Sequence, residues 1–331
     1  MRRILVPIVI LAVSSLLGCG PGQVYRSKAR PTDNFPISWD GEQMPKTAKA
    51  SAKQPAALAY GGREAVSNIR TSGGSDIDAL PSSKSRENAN RYAVVVGIES
   101  YRQKLPPADF AGGDAQLVSS YLTSVLGYPE ENVVTLTNER ATLGDLVKYF
   151  EKWLPNQVEQ GATVFVYYSG HGAPNPKTSD AYLVPYDGDP SFIDETGYSL
   201  NRMYAALGKL PAKEVIVALD SCFSGAGGRS VIAKGSRPLV INLQSNVTLP
   251  KNMTVLSASA GDQTSSTYDE KGHGLFTYFM LKGIKKEDVT RPDGSLKIDD
   301  LYSYIKPQVE RIARKQYNNE QTPQLIEPKK N

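Results

Sequence analysis

The sequence predicts an α/β fold, a three-layer α-β-α sandwich whose central sheet is mainly parallel. Two observations carry this. Apolar runs such as RYAVVVGIE (91–99), TVFVYYS (163–169) and EVIVALD (214–220) have the continuous character of strands covered on both faces. Segments of helical spacing alternate with them, and that alternation is the pattern of a parallel sheet with helices packed on each side.

The elements follow in order. RYAVVVGIE is the first strand. GGDAQLVSSYLTSVLG (112–127) places Leu117, Tyr121, Leu122 and Leu126 on one helical face, with Gly127 as a stop signal. NVVTLTN (132–138) is the second strand. Thr142 can cap a helix running through Leu146, Tyr149, Phe150 and Trp153. TVFVYYS is the third strand, and AYLVPYD (181–187) gives a short extended piece. Ser199 can cap a helix over LNRMYAALGKL. EVIVALD and MTVLSAS (253–259) are the fourth and fifth strands. Two helices close the chain, LFTYFMLKGI (275–284) and one over 299–316, which Pro307 should kink or divide.

Three segments are expected along the 331 residues. The first eighteen carry two arginines and then a mostly apolar run from Ile4 to Leu17. That run is short for a bilayer span and has the form of a secretory signal. It ends in Leu16-Leu17-Gly18-Cys19, which resembles the bacterial lipobox, so Cys19 is the expected lipidation site. Residues 19–90 are then a lipidated N-terminus and tether, rich in Pro, Gly, Ser, Ala and Lys and without sustained periodicity. About seventy such residues span roughly 45–50 Å, enough to hold a folded domain clear of a membrane. Residues 91–331 suit one domain. The expected location is that of an exported bacterial lipoprotein anchored in a membrane through Cys19.

Charge removes one function class. Of the 38 basic and 34 acidic residues, 12 and 7 lie in residues 1–90, which leaves 26 and 27 in the body of the chain. The basic excess belongs to the leader and tether, so no nucleic-acid partner is expected. A nucleotide-binding reading also fails, because GIESYRQKLPP after the first strand does not resemble a phosphate-cradling loop.

Cysteine counting is more informative. With Cys19 lipidated, Cys222 is the only thiol left in the exported body and has no disulfide partner. It lies just beyond the fourth strand, in VIVALDSCFSG. His171, one of two histidines, lies just beyond the third strand, in YYSGHG. In open α/β sheets function gathers at the carboxyl ends of the strands. If the two strands are neighbours, a nucleophile and a base share one rim. An imidazole can take the thiol proton and later give it to a leaving amine. The main-chain N–H groups of Gly172 and Cys222 are the natural oxyanion donors, and the glycines beside His171 leave room for a substrate carbonyl. His273, in KGHGLFT, is the competing base. It precedes a helix instead of ending a strand, which suits a structural role.

These residues carry a family resemblance. YYSGHG followed by ALDSCFSG is similar to the caspase-like cysteine peptidases, in particular bacterial metacaspase-type members. The two reactive residues stand 51 positions apart, close to the spacing in caspases. YAVVVGIESY, AGGDAQ, YLVPYD, HGLFTYFMLKGI and QTPQL extend the resemblance over about 91–329. It implies the caspase-like three-layer sandwich, a Cys222–His171 dyad, and peptide or protein substrates. The matching aspartate, Asp220, with Asp114 and Ser169, would line a pocket for Arg or Lys. The carboxylate of Asp220, two residues before the nucleophile, by itself favours a cationic side chain nearby. There are departures. Asp220-Ser221-Cys222 stands where animal caspases have Gln-Ala-Cys, and Phe223 where many metacaspases have His.

Many metacaspases need calcium, and Asp187 and Asp189 in PYDGDP are the carboxylates to consider. Two carboxylates in a turn fall short of the six to eight oxygens that Ca²⁺ takes, so no metal residues are assigned and the chemistry needs no cofactor. The segment 223–252 corresponds to the linker between the large and small parts of a caspase. Arg229, Lys234 and Arg237 in it are candidate self-cleavage points; an exposed, uncut loop is the other reading. From a different function class, a catalytically silent scaffold could use the same fold for binding.

Overall fold

The computed structural model describes residues 74–82, 85–175, 177–178, 180–224, 228–232 and 249–328. Cys19 and the signal segment lie outside the described residues, as do Lys234 and Arg237. The strands are β1 (Arg91–Gly97), β2 (Val133–Thr137), β3 (Thr163–Ser169), β4 (Gly172–Pro174), β5 (Ala181–Leu183), β6 (Tyr198–Ser199), β7 (Glu214–Asp220), β8 (Met253–Ser257), β9 (Thr267–Tyr268), β10 (His273–Gly274) and β11 (Gln324–Ile326). The helices are α1 (Ala111–Ser124), α2 (Leu143–Lys148), α3 (Leu154–Gln157), α4 (Ile193–Thr196), α5 (Leu200–Leu207), α6 (Leu275–Lys285) and α7 (Ile298–Tyr317).

The central sheet has the order β11-β8-β7-β3-β1-β2. All its pairs are parallel except β11 with β8. Every residue of β1 and β3 is buried, so both faces are covered, as their unbroken apolar runs require. The side chains then divide by the period of two. Val94, Val96, Val164, Val166, Val217 and Leu219 pack with Phe150, Leu154, Met203 and Tyr204 on one face. Ala93, Val95, Phe165, Tyr167, Ile216 and Ala218 pack with Val118, Leu122, Phe276 and Val309 on the other. This is the three-layer sandwich. Two small sheets, β4-β5-β6 and the β9–β10 hairpin, stand apart from it.

Local chemistry explains several boundaries. Thr142 and Asp145 form a reciprocal capping box at the start of α2. Ser199 accepts the Arg202 N–H at the start of α5. α7 differs from expectation, since it runs undivided through Pro307. Pro307 is exposed on the solvent face, where water can satisfy the carbonyl that the ring leaves without its N–H partner. The antiparallel edge strand β11 was not legible as a strand, because QTPQLIE has no alternation long enough to mark one.

The packed part of the chain also begins earlier than residue 91. Ile77 is fully buried and packs with α1, α6 and α7. Its carbonyl accepts the Tyr121 hydroxyl at 2.8 Å. Asp76 meets Tyr278 Oη at 2.7 Å and Lys282 Nζ at 3.0 Å. One isoleucine within a polar run gives no periodicity, so the sequence could not mark this strap. Truncating a buried isoleucine to alanine typically costs about 2–5 kcal/mol. Ile77→Ala should destabilise the domain by an amount in that range in urea unfolding, whereas a freely solvated tether would make it neutral.

Candidate active site

The register of two neighbouring strands builds the site. Ser169 at the end of β3 is the partner of Asp220 at the end of β7. The chain leaves both strands at the same rim, so His171 follows one and Cys222 the other. A Cβ at Gly172 would collide with the Cys222 carbonyl and the Phe223 ring. Glycine there serves the close approach of the two rim loops.

His171 is fully buried. Its Nε2 lies 2.7 Å from the Pro106 carbonyl, which can only accept, so Nε2 carries the hydrogen. The Tyr101 ring stacks on the imidazole at 4.9 Å between centroids, and the Tyr101 hydroxyl accepts the His171 N–H at 2.6 Å. The remaining nitrogen, Nδ1, has no hydrogen-bond partner among the described residues. Burial holds the imidazole below its ordinary range, against the opposing effects of the Pro106 and Arg229 main chain. At neutral pH the ring is therefore uncharged, with the Nδ1 lone pair free to take a proton.

Cys222 is also buried. Its sulfur accepts the Ser265 N–H and lies 3.5 Å from the Ser259 hydroxyl. Burial is the main cause that pushes the thiol up to about 11.

The three expected pocket residues are together and fully buried, and the pocket holds a guanidinium of the chain itself. Arg229 Nη1 donates to Ser169 Oγ at 2.5 Å and to the Asp220 carbonyl at 3.0 Å. It lies 3.2 Å from Asp220 Oδ1, while Nη2 lies 3.9 Å from Asp114 Oδ2. Burial opposes the arginine's charge, but Asp220 and Asp114 outweigh it and hold its pKa above the ordinary value. Asp220 is fixed from its other side. Oδ1 accepts the Ser265 hydroxyl at 2.8 Å, and Oδ2 accepts the Thr277 hydroxyl at 2.6 Å. The Arg229 carbonyl accepts the Gly172 N–H at 3.0 Å and the Cys222 N–H at 3.4 Å. The two expected oxyanion donors thus converge on one oxygen.

His273 is part of the pocket's frame. Nδ1 lies 2.7 Å from Asp114 Oδ1, and Nε2 lies 3.0 Å from Asp78 Oδ1. The Gly274 N–H adds a bond to Asp114 Oδ2 at 2.8 Å. A side chain at Gly274 would collide with Asp220. Asp187 and Asp189, the carboxylates considered for calcium, accept the Leu143 and Ser191 N–H groups at 2.9 and 2.8 Å. Among the described residues no group of three His, Cys, Asp or Glu could hold a metal.

Sequence reasoning missed Pro106, Tyr101, Ser265 and Thr277. Pro106 acts through its carbonyl and Ser265 partly through its N–H, and no residue type advertises either. It placed Arg229 in a solvent loop or at a cleavage point; the side chain is 3% exposed and fills the pocket.

The chain matches the caspase domain family over residues 90–329. It belongs to that family. Metacaspase-1 of Eremothecium gossypii is 25% identical over 154 residues, 41% of this chain and 32% of the relative. Metacaspase-1A of Aspergillus oryzae is 26% identical over 201 residues, 50% and 46% of the two. The chain therefore spans less than half the length of these curated relatives. Protein GSU0716 of Geobacter sulfurreducens shares the fold, with a TM-score of 0.51 and 19% identity over 73% of this chain and 94% of that one.

His273 makes the pocket frame pH-dependent. Asp114 and Asp78 raise its pKa over the opposing effect of burial. A raised folded-state pKa stabilises fully below the unfolded value near 6.5, and that contribution is lost as pH rises through the folded value. The stability gap between parent and His273→Gln should be largest at about pH 6 and shrink as pH rises above the unfolded value, measured by urea midpoints.

Proposed function

We propose that this caspase-family chain is a cysteine endopeptidase that cuts after arginine or lysine. One observation carries the reading. An arginine already lies in the Asp220–Ser169–Asp114 pocket, with its own carbonyl on the Gly172 and Cys222 N–H groups. Side chain and carbonyl are held at once, as a cleavage-site residue must be. The guanidinium suits the pocket because it meets a hydroxyl, a carbonyl and a carboxylate at once.

In this reading His171 takes the Cys222 proton at Nδ1, and the thiolate attacks the carbonyl carbon after the basic residue. Negative charge forms on the oxygen held by the Gly172 and Cys222 N–H groups. His171 then gives the proton to the leaving amine, and water repeats the sequence on the thioester. Pro106 and Tyr101 keep the ring in the tautomer that presents Nδ1.

A silent binding module is the second reading, and the buried thiol bonded to Ser265 favours it. Turnover decides. Cys222→Ala and His171→Ala should each abolish most peptide cleavage, and the double variant should be little worse than either, because the two act as a unit. Near-parental cleavage by Cys222→Ala would sink the dyad.

Specificity has its own test. Losing one partner of a desolvated charge pair costs about 2–5 kcal/mol, roughly 30-fold to several thousand-fold. Asp220→Asn should lower the Arg-to-Leu ratio of kcat/KM on matched peptides by at least the lower figure. The ratio is the informative quantity, since a change in access scales both peptides alike. A parent that prefers Leu or Asp would remove the basic pocket and leave the dyad.

Export and anchoring through Cys19 belong to the same proposal. Its support is the lipobox-like Leu16-Leu17-Gly18-Cys19, whose thiol could carry a lipid. Fatty-acid labelling of the parent but not of Cys19→Ser is the expected outcome, and equal labelling would remove it.

A further inference from the structure

The pocket carboxylate Asp114 has no solvent exposure, and a buried anion depends on what stands behind it. Behind it stands His273, and behind His273 stands Asp78, on the strap that precedes β1. We propose that Asp78 is a positioning residue: it holds a proton on His273 and so keeps Asp114 an anion in the pocket. The consequence for basic substrates rests on the peptidase reading above. The place of the proton does not.

The strap aims Asp78 at the ring. The Ser75 N–H donates to Asp78 Oδ2 at 2.9 Å, and the Asp78 N–H donates to the Ser75 carbonyl at 3.1 Å. This tight turn leaves Oδ1 for His273. Both sides of the turn are fastened to the domain. Ile77 is buried against α1 and α6, and Lys285 Nζ donates to the Asp76 and Ala79 carbonyls at 2.5 and 2.7 Å.

Hydrogen-bond chemistry then limits the ring. Nε2 lies 3.0 Å from Asp78 Oδ1, and Nδ1 lies 2.7 Å from Asp114 Oδ1. An ionised carboxylate can only accept. Two arrangements satisfy both contacts. In one, the ring carries both hydrogens and is an imidazolium between two anions. In the other, Nε2 alone carries a hydrogen, and Asp114 is a neutral acid that donates to Nδ1. They differ by one proton moved along one hydrogen bond, with no change in net charge.

The charge on Asp78 separates the two. An anion at hydrogen-bond distance from Nε2 stabilises the imidazolium far more than the neutral ring. Burial works the other way, since it raises the Asp114 pKa. The remaining neighbours give the imidazolium no anion. The Tyr278 ring of α6 stacks on it at 6.5 Å between centroids, with its phenol pushed up to about 12 and so uncharged. Tyr268 is its register partner in the β9–β10 hairpin. Lys271, over the Tyr278 ring, and Arg229, beyond Asp114, are cations and oppose it. Asp220 is paired with Arg229. With the proton on His273, Asp114 Oδ2 presents negative charge 3.9 Å from the guanidinium nitrogen in the pocket. With the proton on Asp114, Asp220 is left as the single pocket anion. The strap thus sets how strongly the pocket prefers a cation, from a residue outside the pocket.

The experiment uses the full chain with isotope-labelled histidine ring nitrogens, read by NMR. The chain has two histidines, so His171→Ala identifies the His273 signals. In the parent His273 should carry both hydrogens at neutral pH. Asp78→Asn keeps the size and still accepts from Nε2, yet the His273 titration midpoint should fall by about one pH unit or more. Asp78→Glu keeps the charge and should stay close to the parent, which separates charge from packing. If Asn unsettles the turn, Asp78→Ser is the second variant. In kinetics, Asp78→Asn should lower the Arg-to-Leu ratio of kcat/KM about 2- to 30-fold, the scale of substitutions that act without touching the ligand. The loss should fall on KM for the Arg peptide, with kcat changed by less than about threefold. A parental midpoint in the folded Asn or Ser variant overturns the proposal, and so does a lowered midpoint with a parental Arg-to-Leu ratio. If the parent cuts no peptide, the peptidase reading fails, and the His273 midpoints alone decide where the proton sits.

Discussion

Asp220 sits at the end of a central strand with no solvent exposure, and a carboxylate buried there must be matched by a cation and by hydrogen-bond donors. Much of the rim can be read as the answer to that requirement. Ser265 and Thr277 supply hydroxyls from the β8–β9 connection and from α6. Arg229 supplies the charge. In reaching Asp220 it brings its carbonyl to the Gly172 and Cys222 N–H groups, so the pocket and the reactive rim are tied by one residue. Asp114 poses the same problem a second time. Burial raises its pKa against the pull of His273 and Arg229, and His273 gives it a partner that the strap residue Asp78 holds from outside.

Why the strands end where they do follows from the same requirement. β1, β3 and β7 are apolar between their first residues, Arg91, Thr163 and Glu214, and their carboxyl ends. The next polar positions along β3 and β7 are at their carboxyl ends, Ser169 and Asp220, side by side in register. Glycine follows at Gly97 and Gly172, where a Cβ would meet the Ala111 carbonyl or the Cys222 carbonyl. Buried strands thus force chemistry to the rim, and small residues let the rim loops close over it.

The strongest features of this plan were legible in the sequence. The apolar runs marked β3 and β7 to the residue, because a strand buried on both faces leaves no alternation to misread. That His171 and Cys222 share a rim followed from their strand ends only on the condition that the two strands pair, as β3 and β7 do. Other features were hidden for physical reasons. Pro106 orients His171 through a main-chain carbonyl, which every residue has. β11 is three residues long. Ile77 is a single apolar anchor in a polar run. Arg229 was read as an exposed or cleavable loop residue because an arginine in a Gly-rich segment is usually solvated. Only the two buried carboxylates across the rim make it an interior residue, and their partner could not be chosen from sequence among Arg229, Lys234 and Arg237.

In the proposed dyad, the base and the nucleophile are prepared to different degrees. His171 is fixed by Pro106, Tyr101 and burial, and both of those residues lie in the loop after β1. Its lone pair at Nδ1 is available without any rearrangement. Cys222 is different, since its sulfur is held by Ser265. Ser265 also donates its hydroxyl to Asp220, the partner of Arg229. Thiol, pocket carboxylate and occupying arginine therefore share one residue. A movement that takes Arg229 from Asp220 alters what Ser265 faces, and with it the environment of the sulfur. In that reading the base is in place, and the setting of the thiol depends on Ser265, the residue that also holds the pocket carboxylate.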